Sequence, residues 1–204
     1  MFFSIANFAS RLRARFHIWF WKSYHRSECL RSRVKFKNPK TISFFGRCCL
    51  NISPKATVEI GDNFICRSGK YSGMESLITK LSVYEGGTLK IGDNSGISNC
   101  TLSCKCSIEI GSHVLIGAGV MISDSDHHSL DWKIRQGSDD GKNARAAPIK
   151  IGDDVFIGAR SIILKGVTIG EKSVIGAGSI VVHDIPANCI AAGNPAKVVK
   201  VLEA

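Results

Sequence analysis

From Ile151 onward an apolar, β-branched residue returns every six positions: Ile151, Ile157, Ile163, Ile169, Ile175 and Val181. Glycine follows most of them, at Gly152, Gly158, Gly170 and Gly176. A period of six matches neither the ~3.6 of an α-helix nor the two-residue alternation of a long strand. It matches a solenoid in which each hexad supplies one short strand and one tight corner. The Ile or Val points inward, and glycine or another small residue takes the corner. Three hexads close a triangular coil, and the inward residues of successive coils stack into a continuous core. The same phase returns at Ile110, Ile116 and Ile122 and at Ile91 and Ile97, with one extra residue needed between Ile97 and Ile110. Cys104 falls on an isoleucine position and reads as a buried thiol, and a noisier copy of the pattern runs through Val58, Ile60, Gly61 and Cys66.

Two stretches break the period, and they divide the chain. Residues 128–148 are polar, charged and glycine-containing, and read as a loop extruded from the coil; loops of that length in compact domains are usually functional or mobile. Residues 1–40 form an aromatic, basic arm, 41–190 the β-helix that carries the chemistry, and 191–204 a tail. The arm is either a helix docked on the open end of the solenoid or a segment lying at a membrane interface, arginines toward anionic headgroups.

Charge sharpens this division. Ten of the Lys and Arg residues lie in the first forty positions against Glu28 alone, so the arm carries +9 of the formal +10. The remaining chain is nearly neutral, and no nucleic-acid motif accompanies the charge, so nucleic acid is not an expected partner. The eight cysteines show no C-x-x-C spacing, and no histidine sits at a finger-like distance, so no metal is expected. No apolar run approaches the ~20 residues of a membrane span. The protein reads as cytoplasmic, with contact at the inner membrane face open to the arm, and with reduced thiols serving as small apolar side chains.

The string from Ile151 to Lys200, with its closing Gly193-Asn194-Pro195-Ala196-Lys197 run, resembles the C-terminal coils of the hexapeptide-repeat acyltransferases. It is most similar to the maltose, galactoside and polysaccharide O-acetyltransferase branch, over about Leu89 to Lys200 and weakly from Val58. The resemblance implies an all-β solenoid, specifically a left-handed parallel β-helix, that assembles as a homotrimer and uses acetyl-CoA as co-substrate. It places His127 on the family's catalytic histidine and Asn99 on its acceptor-contacting asparagine. His128 reads as a loop residue that touches acceptor or solvent, and Asp126 as a further candidate beside the acceptor. Ala159, Ala177 and Val182 match positions that meet the pantetheine arm in a slot between subunits, and the small Gly158 and Ala177 suit close approach by that chain. Lys197 and Lys200 match basic positions that meet the phosphates.

The implied chemistry is consistent with the residue types. A sugar hydroxyl is a poor nucleophile at neutral pH, and a neutral imidazole with a pKa near ~6.5 can take its proton as the new C–O bond forms. The thioester is already activated, so no covalent acyl-enzyme is required. Asp124, Asp126 and Asp131 are candidates to orient the ring, and each also reads as a solvated loop carboxylate. The expected activity is O-acetylation of a sugar in a cell-surface polysaccharide or its precursor. The alternatives are N-acetylation of an amino sugar, a zinc hydratase of the γ-carbonic anhydrase kind built on His113, His127 and His128, and a non-catalytic scaffold.

Overall fold

The structure is a computed structural model that describes residues 34–72 and 76–203. The expected arm lies, as far as residue 33, outside the described residues. The described chain winds into a three-sided parallel β-helix. Face A stacks β1 (Lys35–Phe36), β4 (Thr57–Ile60), β7 (Thr88–Ile91), β10 (Ser107–Ile110), β13 (Ile149–Ile151) and β16 (Thr168–Ile169). Face B stacks β2 (Ser43–Phe45), β5 (Ile65–Arg67), β8 (Gly96–Ser98), β11 (Leu115–Ile116), β14 (Phe156–Ile157) and β17 (Val174–Ile175), followed by β19 (Cys189–Gly193) and β20 (Ala196–Val201). Face C stacks β3 (Cys49–Ile52), β6 (Lys80–Val83), β9 (Thr101–Cys104), β12 (Met121–Ser123), β15 (Ile162–Ile163) and β18 (Ile180–Val181).

The hexad residues are the core. Ile60, Ile91, Ile110, Ile151 and Ile169 stack in register on face A, and Cys66, Ile97, Ile116, Ile157 and Ile175 on face B. Leu81, Leu102, Ile122, Ile163 and Val181 stack on face C. All are buried, and each large aliphatic side chain withdrawn from water stabilises the coil by roughly 1.5–3 kcal/mol. Cys104 is buried as expected, but it stacks on Val83, and the residue in register with Ile122 is Leu102. The extra residue between Ile97 and Ile110 shifts this phase, so the six-residue count lands two positions late.

The corners explain much of the polar sequence. At the A/B corner Asn63, Asn94, His113, Asp154, Lys172 and Asn188 all hold positive φ. Three of them form a side-chain ladder: Asn63 Nδ2 donates to Asn94 Oδ1 at 2.9 Å, and Asn94 Nδ2 lies 3.1 Å from His113 Nε2. Asparagine tolerates this backbone region better than most residues, because its short amide bonds locally.

Two excursions leave the coil, and both flank face C. Residues 68–79 leave the B/C corner, and residues 124–148 leave the C/A corner. The second begins four residues before the expected boundary. Its neck is closed by Asp126 N–H to Arg145 C=O and Ala147 N–H to Asp124 C=O, around a bridge from Ser125 to Ala146. It contains one short helix, α1 (Trp132–Arg135), capped by the Asp131 carboxylate on Lys133 N–H. At both ends of the helix the expected divisions need correction. β1 draws residues 35–36 of the expected arm into the first coil, since their backbone pairs with Glu59 and Ile60. The expected tail is an antiparallel hairpin, β19 with β20, that turns at Gly193 and extends face B.

Candidate active site

His127 stands at the C/A edge, with φ at +63° and its side chain exposed. The neck of the 124–148 loop sets its position: its N–H donates to Ser125 Oγ at 3.1 Å. Its ring Nε2 lies 3.1 Å from Ser103 Oγ and 3.2 Å from Ser123 Oγ, two serines paired across β9 and β12. Ser123 donates its own proton to Ser125 C=O at 2.9 Å, so toward the imidazole it can only accept. A proton on Nε2 satisfies Ser123, whereas Ser103 can pair with either tautomer. Tyr84 tilts its ring against the imidazole, centroids 5.9 Å apart. The sequence reading missed both serines and the tyrosine; their only signal is strand register, which a linear motif does not display.

None of the three nearby carboxylates contacts the ring by hydrogen bond. Asp124 points into the coil, fully buried, and accepts from Lys105 N–H at 2.6 Å and Cys106 N–H at 2.8 Å. Asp131 caps α1. Asp126 pairs with Lys165 at 2.6 Å, and its Oδ2 is the one buried side-chain oxygen or nitrogen among the described residues that lacks a hydrogen bond. An unmet buried acceptor is costly, and here the Lys165 ion pair on the other oxygen offsets part of that cost. His128 turns away into the loop, its Nδ1 2.5 Å from Asp140 Oδ2. His128 and the Ser129 N–H together hold the Asp140 carboxyl below its usual range.

Asn99 is buried at the B/C edge, with φ at +42°. Its amide is engaged by the 68–79 excursion: Oδ1 accepts from Gly69 N–H at 2.6 Å, and Nδ2 donates to Gly69 C=O and contacts Ser72 Oγ. The expected acceptor contact is thus also a clamp on that excursion. Ala159 and Ala177 continue the same edge, one coil apart, through Gly178 N–H to Ala159 C=O. Gly158 is required by stacking alone, since a Cβ there would sit 2.5 Å from Ala177 N. Val182 follows β18 on the C/A edge, the His127 side. Lys197 and Lys200 are exposed on β20. They face Ala192 and Ile190, and the bulge that places Val198 and Val199 against Ala191 puts both lysines on one side of the hairpin.

The candidates are therefore sorted onto the two edges of one face. Asn99, Ala159 and Ala177 line the B/C edge; His127, Asp126 and Val182 line the C/A edge. Four strand positions separate the edges, about 13 Å at ~3.3 Å per residue. His113 stands at the A/B corner, bonded to Asn94, so the three histidines weighed for a zinc site do not converge within one chain. The broad concavity along face A lies apart from all of these groups. Its outer row, Lys35, Glu59, Lys90, Glu109 and Lys150, is a ladder of alternating charge suited to water.

Comparison with known proteins agrees with this architecture. The family model described as hexapeptide repeat of succinyl-transferase matches residues 148–182. Galactoside O-acetyltransferase of Escherichia coli is 40% identical over 116 residues, covering 56% of this chain and 55% of that protein. A 2,3,4,5-tetrahydropyridine-2,6-dicarboxylate N-acetyltransferase of Clostridium perfringens is 57% identical over 53 residues, 26% of this chain and 22% of that one. The chain spans about half the length, or less, of the curated relatives it matches. Among solved structures, a hexapeptide-repeat acetyltransferase of Vibrio cholerae complexed with acetyl coenzyme A superposes with a TM-score of 0.57 at 26% identity, covering 96% of this chain and 91% of that chain. The left-handed β-helix expected from the resemblance is in keeping with these neighbours.

Proposed function

The chain belongs to the hexapeptide-repeat acetyltransferase family, and from that premise we propose that it transfers acetyl from acetyl-CoA to a hydroxyl of a sugar, in a cell-surface polysaccharide or its precursor. His127 is the general base. The acceptor O–H gives its proton to the imidazole as oxygen attacks the thioester carbonyl. The tetrahedral intermediate then breaks its C–S bond, and the imidazolium returns the proton to the departing sulfur. Ser123 and Ser103 hold the ring.

One observation carries the reading: an exposed but pinned histidine on one edge of face C, with Asn99, Ala159 and Ala177 on the other. A groove holding both sets needs the C/A edge of one protomer against the B/C edge of the next, so the proposed assembly is a homotrimer with a site in each cleft. Acetyl-CoA would lie along the small residues at 158, 159 and 177 with Val182, its phosphates toward Lys197 and Lys200. The reading places the enzyme in the cytoplasm, where acetyl-CoA and reduced thiols occur, with the arginines of the N-terminal segment available to an anionic membrane surface.

Release of the CoA thiol in the presence of sugar alcohols tests the proposal. His127→Ala is expected to lower kcat by about 10²–10⁴ while leaving the KM for acetyl-CoA near its original value. Undiminished turnover would refute the assigned role. Alkali-labile product identifies an ester; alkali-stable product from an amino sugar would move the acceptor to nitrogen.

A further inference from the structure

Face C changes character at the His127 coil. Its outward row beside the C/A edge runs Asn51, Ser82, Ser103, Ser123, aligned by strand register. Beyond that coil the same row continues as Leu164 and Val182, and its neighbour as Ile162 and Ile180. The coils on the C-terminal side thus offer an apolar floor, suited to an alkyl amide chain. Those on the N-terminal side present Asn51 exposed and Ser82 half-buried, while Ser103 and Ser123 lie buried against the His127 ring, with Thr101 and Lys80 in the parallel row.

Three further features belong to the polar half. Tyr84, exposed at the C/A corner, presents its ring beside the imidazole, where it can stack on the C–H face of a sugar. The 124–148 loop leans toward these coils, since Lys105 Nζ donates to Gly141 C=O at 2.5 Å from the preceding corner. On the opposite edge Gly69 and Ser72, held by Asn99, bound the same coils. Coils repeat every ~4.8 Å, so Asn51 to Ser123 spans about 14 Å, longer than one pyranose ring.

We infer that the accessible end of this row is an extended acceptor subsite: Ser82, Asn51 and Tyr84 bind successive sugar units of a neutral glycan whose reacting hydroxyl lies at His127. The inference rests on the acetyl-transfer reading above and specifies which acceptors that site prefers. The row and its parallel neighbour together hold no carboxylate and one lysine, Lys80, so uncharged, hydroxyl-rich chains suit them better than anionic ones.

The test uses linear oligosaccharides of one to six units, of α-linked glucose, β-linked galactose and β-linked N-acetylglucosamine. Acetyl-CoA turnover is measured with the full-length protein, and binding by calorimetry with the CoA-loaded His127→Ala variant. In the series that is turned over, KM should fall about tenfold with chain length and level off once the chain outruns the four coils. Ser82→Val with Asn51→Leu should raise the tetrasaccharide KM about fivefold, toward the monosaccharide value. Tyr84→Ala should do the same. A KM independent of length, or the double variant discriminating length like the parent, overturns the subsite. Retained turnover in His127→Ala, with affinity still rising with length, sinks the catalytic assignment and keeps the subsite. Thiol release to another alcohol or amine, with no oligosaccharide binding, does the reverse.

Discussion

Asp124 shows how one residue can decide whether a site forms. It occupies the inward column that Cys104 and Val83 occupy in the preceding coils, where a carboxylate would ordinarily be excluded. Two backbone N–H donors, from Lys105 and Cys106, offset the cost and pin the corner beneath His127. Burial first, and the Asp124 charge second, push the Cys104 thiol up to about 12, so that thiol is an apolar filler rather than a nucleophile. Asp124→Ala leaves two buried donors unmet, and a loss of about 3 kcal/mol is expected. Thermal unfolding should show the midpoint lowered by about 10 °C. An unchanged midpoint would show that the corner holds itself.

At the scale of elements, the 124–148 loop and the C-terminal hairpin each make a checkable claim. The loop is locked by Asp140, which accepts from Ser129 N–H and pairs with His128. The folded carboxyl titrates below its unfolded value, so its contribution is complete above the unfolded pKa of ~3.9 and is lost as pH falls through the lower folded value. Hydrogen exchange across 124–148 should therefore quicken selectively below about pH 4, and Asp140→Asn should produce that faster exchange at neutral pH. In the hairpin, the bulge sets Lys197 and Lys200 on one side. If they meet the CoA phosphates, replacing either with alanine raises the KM for acetyl-CoA about fivefold and makes it less sensitive to salt, with kcat retained. Equal effects on kcat would move those lysines out of the cofactor site.

The whole molecule presents three unlike faces. Face A carries its alternating charge ladder, and face C divides at His127. Face B presents Leu115, Phe156, Val174 and Ile190 in one row, with Leu115 and Phe156 substantially exposed. A contiguous apolar row of this kind is a surface that another chain covers, which agrees with the proposed trimer. Sedimentation equilibrium should give three copies, and Phe156→Glu should shift the species toward monomer while the circular dichroism of the coil persists. A wild-type monomer would remove the shared cleft and the proposed chemistry with it.

The period of six determined the solenoid, its inward columns and the buried cysteines, because each coil needs only the residue one turn away and stacking repeats that local choice. The candidate histidine, asparagine and small corner residues were also legible, though only through the likeness of their strings to a family. What the chain folded in space decided was where each of them stands. The uneven spacing between Ile97 and Ile110 put the core position at Leu102 rather than Cys104, and insertions of unequal length set which edge each corner joins. His127 and Asn99 consequently lie on opposite edges of one face, and Asn51, Ser82, Ser103 and Ser123 fall into a single row. Register between coils is a sum over every intervening residue, so no local pattern in the sequence contains it.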